Sequence, residues 1–157
     1  MDAVTYPAKD FVKFVNNYLI PLRMDVSDDL ALEDYHHFWT PSIAILAIKG
    51  NEVQRTVGFL GVDEFIPSML LGLGKVRLDA GDYNAAMIPL KSLQETYSKS
   101  HAVPEAIYFS GVVLYKNTND PGKLKQAYEK LLKDYPNSAW TKRAQPYRLL
   151  QNSLVIP

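Results

Sequence analysis

The stretch LLGLGKVRLDAGDYNAAMIPLKSL, residues 70–93, decides the fold of this chain. It reads as two helices separated by a short stop. Gly81, in Ala80-Gly81-Asp82, suits the left-handed position that ends a helix. Beyond the stop, Ala86, Leu90 and Leu93 recur at i, i+4 and i+7, so they share one face of the second helix. Before it, Gly74 carries no side chain and lets that second helix come close. Pro89 removes a backbone donor inside the second helix and predicts a kink.

Working downstream, the pattern returns. Gly111 is followed by Leu124, Tyr128 and Leu131, then by Tyr135-Pro136-Asn137-Ser138. Gly74 and Gly111 are 37 residues apart, and Leu90 and Tyr128 are 38 apart. Such a period belongs to stacked helical hairpins. Each hairpin leaves an apolar face open, so neighbours must stack and the last must be capped. Helices are expected over 65–79, 83–97, 104–115 and 123–134, with a polar loop over 116–121. A fifth is expected from Ser138 to about 152, with a kink or early break at Pro146. Trp140, Ala144, Tyr147 and Leu150 mark that segment as the cap. An unrelated antiparallel helical bundle is the alternative.

The first hairpin resembles a tetratricopeptide repeat in the order Leu70, Leu73-Gly74, Gly81-Asp82-Tyr83, Ala86, Leu90. The second resembles one through Ala106, Gly111, Tyr128, Leu131 and the ending at Pro136. It departs by a longer loop at 117–122 and by Leu124 where a small residue is usual. Ser98 stands where the first hairpin's closing proline would be. The resemblance implies a surface for a protein or peptide segment, built on exposed aromatic and polar residues of helices 65–79 and 104–115.

Upstream, Phe11, Val12, Phe14, Val15 and Tyr18 form a stripe at helical spacing over 8–18. Ile20, Leu22, Met24 and Val26 fall on one face of an expected strand, although Pro21 weakens its interior. Ser27-Asp28-Asp29 signals the start of a short helix over about 30–36. Thr40-Pro41 opens the apolar run 42–48, expected as a strand covered on both faces. Lys49-Gly50-Asn51 is a hairpin turn, and 52–57 alternates with Val53, Arg55 and Val57 on one side. Gly58 and Gly61 bracket the exit, and Val62-Asp63-Glu64 starts the next helix.

This order is similar to the thioredoxin fold from its first long helix onward. The residues that carry the likeness are Met24-Asp25-Val26, Phe38-Trp39-Thr40-Pro41-Ser42-Ile43, Lys49-Gly50-Asn51-Glu52-Val53, Val57-Gly58-Phe59 and Asp63-Glu64-Phe65. The resemblance implies a cis bond before Pro41. It also implies that residues 1–7 correspond to the stretch just after the family's paired cysteines. The first strand and the Cys-x-x-Cys motif are then either upstream of Met1 or lacking. A sheet without that strand leaves an open edge, and self-association to a homo-oligomer is expected there. The expected organisation is a thioredoxin-like unit over 1–66 and repeats over 63–157, sharing helix 63–79 as one rigid body.

Composition excludes several chemistries. The chain has no cysteine, so disulfides, thiolate nucleophiles and cysteine metal sites are absent. With 17 basic and 17 acidic residues it has no net charge, which argues against nucleic acid and anionic membranes as partners. The basic run 123–133 reads as the solvated side of an amphipathic helix. No apolar run reaches the roughly 20 residues of a membrane span, and residues 1–10 contain no leader-like run. A soluble cytoplasmic protein is expected.

No catalytic residue, metal site or cofactor is assigned. His36 and His37 are adjacent and point about 100° apart on a helix, unsuited to one metal. Asp25, Asp28, Asp29, Glu33 and Asp34 read as capping and solvated charge. Ser42, Ser110 and His101 are scattered and form no triad. Gly72-Leu73-Gly74-Lys75 lies inside a helix and lacks phosphate-loop spacing. Tyr83, Tyr97, Tyr108, Tyr115, Tyr128, Tyr135 and Tyr147 serve repeat packing, a few of them lining a groove. The expected fold class is therefore α/β plus all-α: an incomplete thioredoxin-like sheet followed by tetratricopeptide-like hairpins. The expected function is a non-enzymatic interaction module. The alternative is a truncated thiol-disulfide oxidoreductase whose cysteines lie upstream.

Overall fold

The structure is a computed structural model that describes residues 1–27, 35 and 39–150. The chain divides into two compact units, Met1–Ile66 and Pro67–Pro157. The helix expected over 30–36, the pair His36-His37, Phe38, the carboxylates Asp28, Asp29, Glu33 and Asp34, and the end of the fifth helix beyond 150 lie outside the described residues.

In the first unit, α1 (Lys9–Tyr18) forms as its spacing predicts and buries Phe14 and Val15. Val12 and Tyr18 stay outside the core, 43% and 62% exposed, so the buried stripe is narrower than expected. A unit of this size has little interior to offer. Phe11 stacks at 4.6 Å on Phe65 and at 5.2 Å on Tyr6. Thr5 is fully buried, and its hydroxyl donates to the Leu60 carbonyl at 2.7 Å.

β1 (Ser42–Leu46) and β2 (Glu52–Val57) form an antiparallel hairpin. Ser42 faces Val57 and Ile45 faces Gln54; the register then slips, and Leu46 faces Glu52. Gly50, at φ 85°, makes the turn. Two expectations fail here. β1 is not covered on both faces, because only Ile45 is buried. A covered strand needs layers on each side, and among the described residues the sheet has only two strands.

Residues 20–26 form no strand. Ile20 is 98% exposed and Leu22 75%. Their alternation defines a face, but among the described residues no neighbouring strand offers backbone partners, and Pro21 has no amide to give. Asp25 closes a local turn at the end of this stretch. Its carboxylate accepts from the Ser27 amide at 3.0 Å and hydroxyl at 2.7 Å, which hold its pKa below the usual range.

α2 (Val62–Asp79) begins with Asp63 and Glu64 in its first turn, favourable at the positive end of a helix. Its end is a Schellman turn. The Asp82 amide donates to the Arg77 carbonyl and the Gly81 amide to Leu78, with Gly81 at φ 77°. Asp82 then caps α3 (Tyr83–Thr96) by accepting from the Ala85 amide at 3.0 Å. Pro89 lies within α3.

α4 (Val103–Thr118) has Pro104 in its first turn and runs three residues past the expected end, shortening the polar loop. Asn119, at φ 55°, stops it. α5 (Gly122–Asp134) packs on α4, and α4 on α3. Because helices lie on both sides of α4, it buries Val103, Ala106, Ile107, Ser110, Gly111 and Val113. α6 (Ala139–Ala144) is capped by Ser138, whose hydroxyl oxygen accepts from the Trp140 amide at 3.1 Å. The fifth helix then breaks early, and Gln145–Leu149 is a 3₁₀ turn with Pro146 in its first positions. Among the described residues no helix is long and apolar enough to cross a membrane.

Candidate functional site

Of the repeat-signature residues, Gly74, Ala86, Leu90 and Gly111 are buried in the second unit, Tyr128 is half-buried, and Gly81 and Pro136 are exposed. Ala86, Leu90 and Leu93 are fully buried, as is Leu131. A Cβ added at Gly74 would stand 2.7 Å from Leu90 Cγ, so the glycine is what admits Leu90. At Gly111 the close neighbours lie on α5. An added Cβ would meet Ala127 Cβ at 2.5 Å and the Lys123 carbonyl at 3.3 Å.

Burial follows the 38-residue period, since Ala86 and Leu124, like Leu93 and Leu131, are buried at matching positions. Gly111 sits one residue earlier in that frame, so it faces Ala127 and not the half-buried Tyr128. Pro136 is exposed and, with Tyr135, Lys99 and His101, borders a shallow cleft of about 410 Å³. Pro41 lies in the first unit, and its bond to Thr40 is cis.

Ser110 has a structural task. Its hydroxyl donates to the Ala106 carbonyl at 2.7 Å and accepts from Gln94 Nε2 at 2.9 Å, tying α3 to α4. Thr141 does the same at the other end, donating to the Tyr135 carbonyl at 2.6 Å. Both are buried, and both hydroxyls are satisfied.

What the fold brings together is a face made by the first helix of each successive hairpin: α2, α4 and α6. Lys75 of α2 pairs with Glu105 of α4, and its ammonium stands 5.0 Å from the centre of the Phe109 ring. Next to Phe109, Tyr108 lies 5.1 Å from Trp140 of α6 and stacks at 5.7 Å on Tyr147. Phe109 reaches Trp140 at 5.7 Å. The Arg143 guanidinium lies over Trp140 at 4.4 Å. All four rings are half-buried. Offset and tilted pairs of this kind are each worth about 0.5–1.5 kcal/mol beyond the area they cover.

The phenol oxygens of Tyr108 and Tyr147 are 2.7 Å apart. Burial, and then this hydrogen bond, push the Tyr147 pKa well above its ordinary value, so the phenol stays neutral. The site thus presents aromatic surface, two cations and a hydrogen-bonded pair of phenol hydroxyls. It can bind by packing and charge.

Of the tyrosines singled out from the sequence, Tyr108 and Tyr147 belong to this face. Lys75, Glu105, Phe109 and Arg143 escaped sequence reading. Glu105 and Phe109 are four apart and Lys75 directly follows Gly74, so helical spacing around the signature glycines was the available signal.

Residues 105–138 match the family model of the tetratricopeptide repeat. The match covers α4 and α5 and ends at the Ser138 cap. No curated protein and no solved structure matches the chain.

Proposed function

We propose that the second unit is a protein-binding module and that a partner's peptide segment lies along the α2–α4–α6 face. The observation that carries this is the half-buried cluster Tyr108, Phe109, Trp140 and Tyr147, bordered by Lys75 and Arg143. Trp, Tyr and Arg are the residues that dominate binding energy at protein interfaces. The tetratricopeptide match and the hairpin arrangement support the same reading, since such repeats generally mediate protein contacts.

For Met1–Ile66 the reading is a thioredoxin-like platform without thiol chemistry. The order α1, β1–β2 hairpin and start of α2 supports it, together with the absence of cysteine. Pairing of two copies along the sheet edge where a thioredoxin fold would carry its first strand belongs to the same proposal. A monomeric mass at every concentration in sedimentation velocity removes that part.

The binding reading is tested by selecting peptides from a displayed random library on the purified chain. Selected peptides should lose affinity with Phe109→Ala and Trp140→Ala, and keep it with Ile88→Ala, an exposed position on α3. No enrichment, or affinity that follows Ile88 instead, rejects it.

A further inference from the structure

We infer that the segment bound on this face is acidic and that it docks at the α6 end; the inference rests on the protein-binding reading of the face. Residues 135–150 contain Lys142, Arg143 and Arg148 and neither Asp nor Glu. All three cations are exposed. Among the described residues none of them pairs with a carboxylate, whereas Glu105, the carboxylate on the face, is already held by Lys75. The chain as a whole is neutral, so this is a local excess and not a reflection of composition.

The geometry also prepares one of the cations. Stacking over Trp140 at 4.4 Å holds the Arg143 guanidinium in place, while its edge keeps N–H donors for a carboxylate. A paired, charge-assisted contact at that point gains more than a freely swinging lysine would. Leu149, 76% exposed, lies next to Arg148 in the chain and offers apolar contact beside the charge. A segment alternating carboxylates with aliphatic side chains therefore complements the surface. A basic segment would face unpaired repulsion. Three cations are also few for the phosphate contacts on which nucleic-acid affinity rests.

The test uses the full chain and fluorescence anisotropy with end-blocked, labelled peptides of equal length: Glu/Leu, Ser/Leu and Lys/Leu. A single-stranded oligouridine is the fourth probe. The Glu/Leu peptide should bind best and weaken as salt rises. Arg143→Glu should weaken it about tenfold or more, the size of one lost charge-assisted pair. Should Arg143→Glu lose its helical circular dichroism, the double variant Lys142→Glu/Arg148→Glu, at two exposed positions, reads out the same charge. Equal binding of Ser/Leu and Glu/Leu peptides, or charge reversal without effect, overturns the acidic partner and leaves the binding face standing. Preference for the oligonucleotide also overturns it. Failure of all three peptides, together with an empty library selection, brings down the reading of the face itself.

Discussion

Leu90 fills the space that a side chain at Gly74 would need: the missing Cβ would lie 2.7 Å from both Leu90 Cγ and Cδ2. At an exposed helical site, glycine to alanine stabilises by about 1 kcal/mol. Here overpacking against a fully buried leucine opposes that gain. Gly74→Ala should therefore lower stability by about 1–2 kcal/mol in urea unfolding. In a Leu90→Ala background the penalty should shrink or reverse, because the two positions share one volume. Additive effects of the two changes would show that they do not meet.

Gly111→Ala should cost more, about 2–3 kcal/mol. The obstacles there are the Cβ of Ala127 and the backbone carbonyl of Lys123, neither of which can swing aside like the end of a leucine. Urea midpoints of the two glycine variants give the comparison. A smaller loss at Gly111 than at Gly74 would mean that α4 and α5 are not in close contact.

Tyr147 should make stability fall at alkaline pH. Its folded pKa is raised above the ordinary 10.0, mainly by burial. The folded state then holds the phenolic proton where the unfolded state releases it. The contribution is fully present below about pH 10 and declines as pH rises above that value. Tyr147→Phe cannot ionise, so the wild-type minus variant difference should narrow in that range. At neutral pH the variant should lose about 0.5–1.5 kcal/mol with the Tyr108 hydrogen bond. A difference independent of pH would rule this out.

In the first unit, Leu22→Asp and Ile45→Ala should differ sharply. Leu22 is 75% exposed, and its replacement should change stability by no more than about 0.5 kcal/mol. Ile45 is the buried residue of β1, and its truncation should cost about 2 kcal/mol or more. A large loss at Leu22 in thermal unfolding would restore the strand that the alternation of residues 20–26 suggests.

The strongest sequence readings were local. The stop at Ala80-Gly81-Asp82, the Lys49-Gly50-Asn51 turn and the Ser138 cap follow from backbone preferences of single residues, and each lies where those preferences put it. Periodicity likewise placed the buried stripe Ala86, Leu90, Leu93. Residues 20–26 show where such reasoning stops. Their pattern favours a strand, but a strand forms only against another one.

The candidate face was half legible. Tyrosines were visible as residues, but their grouping depends on three helices meeting. Sequence alone determined the helices, their caps and the glycines between them, because those depend on φ, hydrogen-bond donors and spacing within a few residues. Only the tertiary structure decided that Ala127 meets Gly111 and that Arg143 stacks on Trp140 beside Tyr108 and Phe109. Those contacts depend on the one-residue offset between hairpins and on how closely their helices approach, which no single segment encodes.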